Sequence, residues 1–145
     1  MKFMKEAEAI SSQIEEMAIF KISACYNELF ADTVAVLAFR DGAVITKLLS
    51  SSDKPYVSRD FTRDLNAEGW NESADHRVLD PVRSFVWKRY ISKHIQDSSF
   101  VVFTQLMLQT IQDEVNTRVS DPNLYDLTPE QINVRLIQSL NTQLP

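Results

Sequence analysis

The sequence predicts an α+β fold dominated by helices: a long N-terminal helix, a β-hairpin, then a three-helix C-terminal part. Three observations carry this. Phe3, Ala7, Ile10, Ile14 and Met17 alternate spacings of four and three, a heptad seam. Two β-rich runs flank Arg40-Asp41-Gly42. Asp80-Pro81 and Thr128-Pro129 each place a capping residue before proline, the usual opening of a helix.

The first helix is read over about residues 2–30. From Ile14 the stripe drifts to Ala18, Ile22, Cys25 and Leu29, ordinary helical spacing. At ~1.5 Å per residue such a helix is roughly 40 Å long, more than a small core can cover. Two outcomes are open: its first turns pack on the C-terminal helices of the same chain, or the seam Phe3, Ala7, Ile10, Ile14 and Met17 pairs with a second copy.

Residues 33–49 read as the hairpin. Val34-Ala35-Val36-Leu37-Ala38-Phe39 has no polar residue, as expected of a strand buried on both faces. Ala43-Val44-Ile45-Thr46-Lys47-Leu48 is its partner, and a buried helix through the region is the alternative. Residues 50–78 read as a long polar loop. Within it, Ser58 as N-cap, Phe61 and Leu65 on one face and Gly69 as stop suggest a short helix, and Tyr56-Val57 suggests an edge strand.

The remaining helices are clearer. Val82, Phe85, Val86, Tyr90 and Ile95 keep helical spacing from Pro81 to about Gln96. Ser98 or Ser99 caps the next helix, whose wide stripe of Phe100, Phe103, Met107, Ile111 and Val115, with Val102 and Leu106 beside it, predicts a central position in the core. Asp121-Pro122-Asn123 breaks it. In the last helix Thr128 and Gln131 form a capping box, Leu127 and Ile132 a hydrophobic staple, and Ile132, Leu136 and Leu140 the apolar face.

Composition bounds the rest. The 145 residues fit one domain, 1–145, and are 44% hydrophobic, enough to bury a core. Two glycines, Gly42 and Gly69, exclude a Gly-rich phosphate loop. One cysteine, Cys25, excludes an intramolecular disulfide, and its place on the apolar stripe reads as structural rather than nucleophilic. The N-terminus lacks the form of a signal peptide, and no apolar run approaches the roughly 20 residues that span a bilayer. The expectation is a cytoplasmic protein that does not engage membranes. Nothing points to a metal or a cofactor.

Net charge is −5, which disfavours general affinity for nucleic acid. Yet residues 51–96 carry +1, whereas residues 97–145 carry −4. Arg77, Arg83, Lys88, Arg89 and Lys93 interleave with Phe85, Trp87 and Tyr90. On a helical wheel Arg83 and Trp87 fall on the flanks, with the outer side of Tyr90, while Lys88 and Lys93 point outward. Arginine and tryptophan dominate interface hot spots, so the leading expectation is a non-catalytic interaction protein. It would be an adaptor, assembly factor or inhibitor that binds another, acidic protein through Arg77, Arg83, Trp87, Lys88, Arg89, Tyr90 and Lys93. The bland alternative is a solvated face balancing Asp113 and Glu114 of the acidic third. A nucleic-acid module on the same strip is the second functional reading. A small enzyme with its site at Asp75-His76 is the third, with Glu68 and Glu72 near in sequence. His94 reads as a cation at a helix C-terminus, and Trp70 as an anchor for the loop.

Overall fold

The computed structural model describes residues 2–51, 56, 58–66, 77–96 and 100–145, with side chains from residue 21 onward. Among the described residues the α-helices are, in chain order, α1 (Lys2–Phe39), α2 (Val44–Leu49), α3 (Asp80–Val86), α4 (Ser92–His94), α5 (Phe100–Ser120) and α6 (Pro129–Gln143). A π-helical turn, Trp87–Ile91, joins α3 to α4, and a 3-10 turn, Pro122–Leu124, lies between α5 and α6. Helix α5 packs between α1 and α6, and α3 lies against α6.

No β-strand or sheet occurs among the described residues, so the predicted hairpin over 33–49 is wrong. Its first run is the end of α1 and its second is α2. The helical stripe does not stop at Leu29: Asp32, Thr33, Val36 and Leu37 continue it and are all buried. Two polar residues on the inward face hid that periodicity, and packing overrode the β propensity of the valines.

Arg40-Asp41-Gly42 is a helix stop rather than a hairpin turn. Arg40 adopts φ 54°, and the Asp41 N–H donates to the Val36 carbonyl at 3.2 Å, the closing bond of a Schellman motif. Gly42 has no positive φ; it is there for space. A Cβ on it would stand 2.7 Å from both Thr62 Cγ2 and the Trp87 ring. The Asp41 carboxylate turns the chain into α2, accepting from Lys47 and from the Ala43 N–H. The Lys47 bond, then the Ala43 bond, hold its carboxyl below the usual value.

The short helix suggested from Ser58 does not form over 58–66. Arg59 takes φ 62°, and Asp60 folds back to accept from the Thr62 N–H and hydroxyl, an Asx turn that plants Phe61 in the core. Tyr56 is not in a strand, and Val57 and Gly69 lie outside the described residues.

The predicted helix from Pro81 to Gln96 changes pitch midway. Val86 and Ile91 are both fully buried five residues apart, a spacing that an α-helix would turn to different faces and a π turn brings together. The stripe on α5 is narrower than expected. Phe103, Met107 and Ile111 are buried, whereas Phe100 is 47% and Val102 64% exposed. Helix α6 matches its sequence signature. Thr128 and Gln131 exchange both bonds of the capping box, and Ile132, Leu136 and Leu140 are buried.

Lys21–Phe39 is long and apolar enough, by length and composition, to cross a bilayer, although 44% of that window is buried inside the protein.

Candidate interaction surface

The basic-aromatic strip does not survive as one surface. Arg83 is 1% exposed and faces inward, a correction to its expected place on a flank. Its guanidinium pairs with Asp32 at 2.8 Å and with Asp80 at 3.1 Å. Trp87 is half-buried, its ring against Gly42. Tyr90 is stacked on His94 and on Phe103, with centroids 4.4 and 4.9 Å away. Arg77 is half-buried, and its charge acts on Asp80. Arg89 is also half-buried. Lys88 and Lys93 are exposed, and Lys88 is paired with Asp64, which accepts from Ser84 as well. The Lys88 bond, then the Ser84 bond, hold the Asp64 carboxyl below its usual value. The seam residues Phe3, Ala7, Ile10, Ile14 and Met17, and the loop residues Glu68, Trp70, Glu72, Asp75 and His76, lie outside the described side chains.

Arg83 belongs instead to a buried network. Asp32 from α1 accepts from both Arg83 and Arg59. Arg59 also reaches Glu28 at 3.0 Å, and its backbone N–H donates to Asp80 at 3.0 Å. Burial raises the pKa of Asp80, more than Arg83, the Arg59 N–H and Arg77 lower it. Burial opposes the charge on Arg59, but its bond to Asp32 and the charges of Asp32 and Glu28 outweigh that and hold its pKa above the usual value. These groups tie α1, the 58–62 turn and α3 together.

A second network joins α5 to α6 beneath α1. Arg135 grips Glu114 with two bonds, 2.8 and 3.0 Å, and Glu114 is buried. The Tyr26 hydroxyl sits beside Arg118 without an aligned hydrogen bond, and burial raises its pKa. Among the described residues no group of His, Cys, Asp or Glu is arranged to hold a metal ion.

The surface left outside these networks is unusual. Within residues 22–39 and 100–120, Asp113 is the one charged residue among those exposed. Glu28, Asp32, Glu114 and Arg118, the other charges of these stretches, sit in the networks or beneath the surface. Two hollows run along the antiparallel α1 and α5 pair. One is apolar, lined by Val34, Leu37, Ala38, Phe100, Val101 and Gln105 among others. The other is mixed: Ser23, Asn27, Gln109, Gln112 and Asn116 line it together with Leu108, Ile111 and Val115. Among the described residues, no Asp, Glu, Lys, Arg or His lines either hollow.

Sequence reasoning missed this face because Phe100 and Val102 read as part of, or beside, the core stripe. The available signal was the run of α5 from Phe100 to Gln112, thirteen positions without a charge. No family model, curated protein or solved structure matches the chain.

Proposed function

We propose that the protein works without catalysis, as an adaptor, assembly factor or inhibitor, and that it docks a protein partner through the uncharged face of α1 and α5. The observation that supports this reading is the inverted charge pattern. Solvated helix pairs ordinarily turn their charges outward and their apolar residues in. Here, within residues 22–39 and 100–120, every ionisable side chain but Asp113 is directed inward, while Val101 and Leu108 stay open to solvent. Contiguous exposed apolar surface rimmed by polar residues is the usual mark of a protein contact. The basic strip is the weaker candidate, because Arg83 is buried and Lys88 is paired. The same loss of cations weighs against a nucleic-acid interface, which needs several on one surface.

The test is affinity capture with the tagged full chain from its native host. A partner is expected to co-purify with the wild type and with Lys93→Glu, and to be lost with the pair Val101→Glu and Leu108→Lys. A partner that ignores the face pair but is lost with Lys93→Glu would return the reading to the basic strip.

A further inference from the structure

We propose that the uncharged face along α1 and α5 is the interface of a homodimer. This names the partner of the docking surface above and rests on that reading. Three features favour a second copy over other occupants.

The first is hydrogen-bonding chemistry. Asn27, Gln105, Gln109, Gln112 and Asn116 are exposed along the face. Each side-chain amide carries both donors and an acceptor, so a surface lined with amides can satisfy its own copy. A charged partner would leave its charges buried and unpaired against it, which is strongly unfavourable. A bilayer would cover the apolar end but leave the amides without partners in hydrocarbon.

The second is charge. Each chain carries −5, so two copies repel unless they meet where the charge is not. Among the described residues of this face the one exposed charge is Asp113, and it accepts a bond from Gln109 at 2.8 Å. A two-fold contact uses the same patch on both chains, so both copies keep their remaining negative charge off the contact.

The third is size. Helix α5 has 21 residues, and ~1.5 Å per residue makes it ~32 Å long. Two helices side by side are about 20 Å across. The face is then on the order of 600 Å² before curvature is counted, close to the ~800 Å² per partner of a standard interface. A partner must track both helices to fill it, which a second antiparallel pair does.

Light scattering after size exclusion, on the full chain at micromolar concentration, tests this. The expected mass is twice the 16.7 kDa of one chain. Val101→Glu with Leu108→Lys is expected to give a folded monomer with wild-type helix content, association falling by at least ~100-fold and the melting temperature losing its dependence on protein concentration. Gln105→Lys alone, a milder change on the same exposed face, is expected to weaken the dimer in the same direction. Lys88→Glu and the pair Ile10→Asp and Ile14→Asp are expected to leave the dimer intact. A monomeric wild type overturns the proposal, as does a dimer that survives the face variants. Loss of the dimer in the Ile10 and Ile14 variant alone assigns it to the N-terminal seam and overturns it too. So does a monomer that floats with phosphatidylcholine vesicles and stops floating in the face variants. A monomeric wild type that still captures another protein through this face removes the dimer and leaves the docking reading standing; one that captures nothing removes both.

Discussion

Two sides of α1 treat charge in opposite ways. Its inner face carries Glu28 and Asp32 into a network with Arg59, Arg83 and Asp80, while its outer face, shared with α5, presents alanines, valine and amides to solvent. The difference separates holding from meeting. A buried ion network tolerates no substitution of one partner, because the charge left behind has no water to return to. An uncharged surface tolerates substitution well until something must cover it. One helix is thus the strut of the fold on one side and, on the function proposed above, the floor of the docking face on the other.

The largest expected effect breaks the inner side. Arg83→Ala removes the ion pairs to Asp32, Asp80 and Glu28 and should destabilise the fold by ~3–5 kcal/mol, read as a lower denaturant midpoint with an unchanged slope. A loss under ~1 kcal/mol would mean that water or Arg59 compensates the carboxylates, and the contrast between the two faces would weaken.

A smaller effect sharpens the account of Asp80. Its carboxyl is raised in the folded protein by burial, against Arg83 and the Arg59 N–H. The folded state therefore binds this proton more tightly than the unfolded chain does. Stability contributed by this group is fully present below the ordinary value of 3.8 and falls as pH rises through the raised one. Asp80→Asn should flatten that fall, measured as melting temperature against pH from acid upward. Parallel profiles for wild type and variant would show that the group titrates as it does in the unfolded chain.

The smallest effect belongs to the outer side. Val101→Glu with Leu108→Lys should change the folding free energy of the monomer by no more than ~0.5 kcal/mol, since both side chains are substantially exposed. A large loss in a monomer would show that these residues support the core, and the uncharged face would no longer be a free surface.

Legibility tracked the range of the interactions. The capping box at Thr128 and the proline after Asp80 were readable, because the partners of such bonds lie within four residues. The boundary at Asp80 still shifted by one, since its carboxylate is drawn to Arg59 and Arg83 instead of capping its own helix. The end of α1 was misread because Arg40 takes the left-handed turn usually given to glycine, while nearby Gly42 invited a hairpin. The candidate surface was misread for a related reason. A helical wheel assigns faces from polarity, and it sends an arginine outward; Arg83 points inward because Asp32, fifty-one positions earlier, waits there.

Residue order alone determines a mostly helical chain with a strong final helix and an acidic balance. Local bonds and short periods suffice for that, because each is satisfied within a turn or two. Which residues are inside came from packing. Asp32, Arg83 and Glu114 are buried because each meets an opposite charge from a distant part of the chain. Phe100 and Val101 are exposed because α5 turns another face to the core. Pairing across distances of twenty to fifty residues leaves no periodic trace, so the inverted distribution of charge became visible only once the helices were in place.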